Sequence, residues 1–136
     1  MVMRLIETRI LPQVGWTSRI RSKLGVDEPY LPDADISQPD VIVTAEENII
    51  DIVPDYAGLT GAKKTWLESA TVCECAALLC PTLKARVPVR EQGPHFTRDV
   101  SYDWDKRRDE LETERDALLG KIEDIAYVRH FGKSGR

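Results

Sequence analysis

Between Thr60 and Cys80 the chain reads TGAKKTWLESATVCECAALLC, with apolar and small residues at Ala62, Trp66, Ala70, Cys73, Ala77 and Cys80. Gaps of three and four place all six on one face of an α-helix. Leu67, Val72, Ala76 and Leu79 widen that stripe until little of the circumference is polar, as expected of a helix buried among others. Thr60 can cap the first turn. Pro81 is expected to end or kink the helix, because proline has no N–H and clashes with the preceding turn.

The same periodicity predicts elements on both sides. Leu5, Ile6, Ile10 and Leu11 fit a short helix or an arm that packs on a neighbour. Trp16, Ile20 and Leu24 mark a short basic helix, with Gly25 just past its end. Residues 26–35 are a loop rich in Pro and Asp. A further helix is predicted from Ser37, which with Asp40 resembles a capping box, and Pro39 suits its first turn. Its buried stripe is Val41, Ile42, Ala45, Ile49, Ile52 and Val53, which leaves Glu46, Glu47 and Asp51 on the outer face.

After the central helix the pattern weakens. Leu83 to Arg86 can extend that helix by a turn. Val87–Arg90 and Phe96–Tyr102 alternate like short extended segments around Gln92-Gly93-Pro94. A last helix is predicted from about Asp103 to Tyr127, capped by Asp103 or Asp105. Trp104, Arg108, Leu111, Arg115, Leu118, Ile122 and Ile125 form its seam, which Arg108 and Arg115 interrupt. That helix is either a third core helix or one that also packs on another subunit. The expected fold is all-α: a small helical bundle with a long C-terminal helix and an extended loop or hairpin before it. The expected organisation is an N-terminal arm with a short basic helix at 1–33, a helical domain at 34–127 and a basic tail at 128–136.

Composition narrows the class. A chain of 136 residues fits one domain with a real core. No apolar run approaches the roughly 20 residues that span a bilayer, and the N-terminus lacks a signal-peptide core. Three cysteines without disulfide-framework spacing point to a chain kept in a reducing cytoplasm. The net charge of −4 is arranged in blocks: +4 over residues 1–26, −9 over 27–56, +3 over 57–98, −5 over 99–126 and +3 over 127–136. Such blocks describe partners better than the total does, and they argue against a simple nucleic-acid binder with one basic face. Arg19, Arg21 and Lys23 are either a patch for an acidic partner or a solvated helix face.

No catalytic signature stands out. Cys73, Cys75 and Cys80 lie on one apolar helix with no nearby His, so they are expected to be core residues and no metal site is expected. His95 and His130 have no activated Ser or Cys beside them in any recognised motif. The carboxylate pairs Asp33/Asp35, Glu46/Glu47, Asp103/Asp105 and Asp109/Glu110 suit caps and solvated faces. The glycines make no phosphate loop. Trp16, Trp66 and Trp104 are expected in the core, with Trp104 also a candidate interface anchor. A non-enzymatic chain without cofactor is expected.

Four stretches carry a family likeness: DADISQPDVIVTAEENIIDIV, GAKKTWLESATVCECAALLCPTL, the loop with EQGPHFT, and WDKRRDELETERDALLGKI. Together, over roughly residues 33–127, they resemble the small helical head–tail connector (adaptor, or head-completion) proteins of long-tailed bacteriophages. The resemblance implies a virion protein, assembled in the host cytoplasm as a homo-oligomeric ring, a dodecamer in such families. The ring would sit beneath the portal, extend the DNA channel and meet a tail-side connector or stopper protein. Portal binding would fall to Tyr127, Val128, Arg129, His130 and Phe131. Glu46, Glu47 and Asp51, or else the acidic face of the last helix, would line the channel, where acidic walls let DNA pass without holding phosphates. The alternative is a small helical dimeric regulatory or binding protein that uses the last helix as a coiled-coil seam.

Overall fold

A computed structural model of the chain describes residues 6–86 and 103–131, with side chains described through residue 122. The chain is all-α, and no strand occurs among the described residues. The α-helices are α1 (Trp16–Leu24), α2 (Asp33–Ile36), α3 (Thr44–Ile52), α4 (Gly61–Arg86) and α5 (Trp104–Phe131). A π-helical turn, Pro39–Val43, leads directly into α3, and a 3-10 turn, Tyr56–Gly58, precedes α4. The expected hairpin at 87–102 and the tail at 132–136 lie outside the described residues.

The spine is the pair α4 and α5. Eight consecutive residues of α4, Ala70 to Ala77, are buried, so neighbours enclose it on every side there. Pro81 does not end the helix: α4 continues through it to Arg86, the further turn that Leu83 to Arg86 allowed. An interior proline costs about 3 kcal/mol. Pro81 is exposed, while Leu79, Cys80 and Leu83 beside it are at most 1% exposed. Burying each leucine recovers roughly 2 kcal/mol, so packing holds the helix through the proline.

α5 runs antiparallel to α4. Lys84 Nζ meets Asp105 at 2.8 Å near one end. Arg115 meets Glu74 in the middle. Lys121 Nζ stands 5.5 Å from the Trp66 ring centre toward the other end, a cation–π contact. Asp103 provides the N-cap, its Oδ1 accepting the Lys106 N–H at 2.9 Å. The expected seam is used inside the chain: Trp104, Leu111 and Ile122 are buried and Leu118 is half-buried, with Leu119 also enclosed. α5 continues to Phe131, beyond the expected end near Tyr127.

The N-terminal region shares this core. Trp16, Ile20 and Leu24 of α1 pack with Leu11, Leu31 and Ile36 against the second half of α4. Gly25 closes α1 at φ 73°, a conformation that favours glycine, and its N–H reaches the Arg21 and Ser22 carbonyls. A second apolar cluster joins Ile10, Ile49, Val53, Leu67, Ala70, Leu119 and Ile122. The segment expected to be an arm thus contributes Leu11 to one cluster and Ile10 to the other.

The third helix departs from expectation at its start and on one flank. Ser37 does not cap it: its Oγ accepts the Ile6 N–H at 3.0 Å, and the helical turns begin at Pro39. Ile42, Ala45, Ile49 and Val53 are buried, but Ile52 is 45% exposed. Leu111 is fully enclosed where α5 meets α4. Leu111→Ala is expected to cost about 3 kcal/mol, read as a lowered denaturation midpoint with helical content retained in water.

Candidate functional site

The charged groups that matter most sit inside apolar stripes. Ile42, Glu46, Ile49 and Val53 follow four-three-four spacing, and Glu46 is only 2% exposed. This corrects the expectation that Glu46 lies on the outer face: its side chain points into the fold and cannot face a channel. Its Oε2 accepts the main-chain N–H of Arg9 at 3.0 Å, Ile10 at 2.8 Å and Leu11 at 3.2 Å, and Oε1 accepts Arg9 at 3.0 Å. Three successive amides thus compensate one buried carboxylate, and charge-assisted bonds of this kind are among the stronger ones. Glu47 and Asp51 are exposed as expected, and so is Asp40 in the π turn. Arg9 reaches Glu47 only at 3.8 Å, with both side chains largely exposed.

Glu74 is the second buried acid, at 6% exposure. Leu67, Ala70, Glu74 and Ala77 again repeat at three-four-three. Arg115 Nη1 donates to Glu74 Oε1 at 2.5 Å, and Asn48 Nδ2 donates to Oε2 at 2.9 Å. One carboxylate therefore ties α3, α4 and α5. Arg115 also meets Asp116 at 2.9 Å. Burial opposes the Arg115 charge, but its hydrogen bonds to Asp116 and Glu74 outweigh that and hold the guanidinium well above its ordinary pKa. Arg115, an apparent interruption of the α5 seam, is the partner of an acid in the α4 stripe.

The bases of α1 are committed within the chain. Arg19 pairs with Glu68 at 3.0 Å, Arg21 with Asp33 at 2.7 Å, and Lys23 with Glu114. Arg107 donates to the Lys23 carbonyl at 2.9 Å. Burial raises the Asp33 pKa, but hydrogen bonds from Arg21 and Thr17 outweigh it and leave it below its ordinary value. An open groove of about 540 Å³ lies over α4 between α1 and α5. Ser18, Ser22 and Ser69 line it above Val72 and Leu118, with the Lys23–Glu114 pair at its edge.

Cys73, Cys75 and Cys80 are free and buried. Burial pushes the Cys73 and Cys80 thiols up to about 11 and raises Cys75 as well. Among the described residues no group of His, Cys, Asp and Glu could hold a metal ion, and no helix is long and apolar enough to cross a membrane. His95 lies outside the described residues. Lys121 stands beside Trp66, five residues from the start of α4, so the backbone of Tyr127–Phe131 runs past that start. The side chains of Tyr127, Val128, Arg129, His130 and Phe131 are outside the described set. No family model, no curated protein and no solved structure matches the chain.

Two expectations follow from these buried groups. Arg115→Leu strands the Glu74 carboxylate and should lower stability by about 3–5 kcal/mol in urea unfolding, whereas Arg108→Leu, at an exposed position of the same seam, should change it by less than about 1 kcal/mol. The cysteines should resist maleimide at pH 8 in the folded chain, because thiols with pKa near 11 stay protonated there. All three should label in denaturant, as counted by mass spectrometry.

Proposed function

We propose that this chain is a non-enzymatic structural protein of the head–tail connector type, acting as a ring of copies between a portal and a tail-side protein. The observation that carries the proposal is the run of exposed acids Asp40, Glu47 and Asp51 along the π turn and α3. The segment 27–56 that bears it has nine acids and no Lys or Arg. A wall of this kind repels phosphates and offers no counterion release, so DNA slides past it without being held. Glu46 has no part in this wall, because its charge is used inside the fold. The order of elements, with a long antiparallel α4 and α5 after short helices, suits the resemblance carried by the sequence.

In this proposal the last turn of α5, Tyr127–Phe131, meets the portal, since it runs past the body of the hairpin. The protein is then a virion component assembled in the host cytoplasm. The coiled-coil regulator is the weaker alternative, because Leu111, Leu119 and Ile122 are spent on contacts within the chain.

Electron microscopy of lysates from a virus or prophage lacking this gene tests the role. Tail-less heads, many of them leaking DNA, beside free tails are expected, and normal virions would reject it. Reversing Glu47 and Asp51 to Lys should leave particles assembled and slow DNA ejection. Unchanged ejection would remove the channel assignment.

A further inference from the structure

Charges of opposite sign stand unpaired at the two ends of α4. At its start, Lys63 and Lys64 lie in a first turn that holds no acid. Lys64 and Lys121 are exposed and Lys63 is half-buried. Lys63 and Lys64 make no ion pair among the described residues, and Lys121 makes only its contact with the Trp66 ring. Trp66 follows Lys63 by three residues, a spacing that makes them neighbours on the helix surface. Lys63, Trp66 and Lys121 thus share one end of the hairpin. The bases at the far end of α4 are used differently: Lys84 and Arg86 are paired with Asp105 and Asp35. Cations in a first turn stand against the helix dipole, and no carboxylate among the described residues offsets that at Lys63 and Lys64.

The loop after α1 presents acids at the other end. Asp27, Glu28, Pro29 and Tyr30 are all exposed, Tyr30 to 40%. The loop is held in one shape. Tyr30 N–H donates to the Asp27 carbonyl at 3.1 Å, and Leu31 N–H donates to the Glu28 carbonyl at 3.0 Å. Leu31 is fully buried, and its carbonyl accepts from Arg21 at 3.0 Å. Arg86 donates to the Tyr30 carbonyl at 3.4 Å, which places the loop beside the last residue of α4. The carboxylates of Asp27 and Glu28 have no partner among the described residues. At about 1.5 Å per residue, Lys63 and Arg86 stand roughly 35 Å apart along α4. The acidic tip and the lysines of one chain therefore cannot meet.

Unpaired charges of opposite sign on two preformed surfaces fit the two sides of one contact. We propose that the tip of residues 27–30 of one copy docks on the Lys63, Lys64 and Lys121 end of the next, head to tail. The proposal rests on the reading above that copies of this chain assemble, and it names the surfaces that meet. The carboxylates answer the lysines, and Tyr30 adds the apolar area that ion pairs lack. Each copy then uses a different surface toward each neighbour, the heterologous arrangement that closes a ring. Asp40, Glu47 and Asp51 take no part in the contact.

The test uses the full chain, with Lys63→Glu and Lys64→Glu in one variant and Asp27→Lys and Glu28→Lys in another. Sedimentation at low ionic strength, where surface charges are least screened, reads mass against concentration. The unaltered chain is expected to grow beyond a dimer. Each variant alone should need at least about tenfold more protein to associate, because like charges then face one another. An equimolar mixture of the two variants restores opposite signs at every contact. It should associate like the unaltered chain, which also shows that both variants fold. Variants that associate as readily as the unaltered chain overturn the contact and leave assembly standing. So does a mixture that stays dissociated while both variants keep their helical circular dichroism. An unaltered chain that stops at a dimer overturns the head-to-tail order. One that remains monomeric at every concentration overturns both the contact and the reading beneath it.

Discussion

Glu74 carries the constraint on which the bundle depends. A carboxylate removed from water must find compensation or the fold loses several kcal/mol. Here the compensation comes from two different helices, one to each oxygen: Arg115 of α5 and Asn48 of α3. The contact therefore specifies where three helices lie along one another. The surrounding face of α4 is made of small side chains, Ala70, Cys73, Ala77 and Cys80, which offer few knobs to set a register. Sliding α5 by one heptad would bring Arg108 to Glu74, but it would also put Glu112 and Arg115 where Leu119 and Ile122 are buried. Apolar packing and the buried charge together admit one alignment.

The helices were legible because their stripes are strong. The burial of Trp16, Ile20 and Leu24, the cap at Asp103 and the core placement of the cysteines all follow from spacing and chemistry visible in the sequence. What the sequence hid were acids that look like surface residues. Glu46 and Glu74 each occupy a three-four seam position between apolar residues, and that was the available signal. A charge in such a position needs a partner from elsewhere in the chain. Arg115 could have been matched to Glu74 on those grounds, because it too interrupts a seam. The partners of Glu46 could not, because main-chain amides leave no trace in residue identity. At Pro81 the sequence left an end, a kink or a further turn open, and the tertiary packing of its neighbours decides for the further turn.

Charge is divided between two uses. The bases of α1 serve internal joints, with Glu68, Asp33 and Glu114 as their partners. Much of the acidic block at 27–56 remains at the surface. The linear charge blocks are thus, in three dimensions, partly internal stitches and partly exposed acids.

The seat at Glu46 also bears on how the chain is made. Residues 9–11 are synthesised before their acceptor, which lies 35 to 37 positions later. The segment must wait, unsatisfied, until the π turn and α3 have formed. Ile10 and Leu11 are then bare apolar residues on a nascent chain, open to chaperones or to another emerging copy. Residues 6–13 are therefore among the last parts of the described fold to settle.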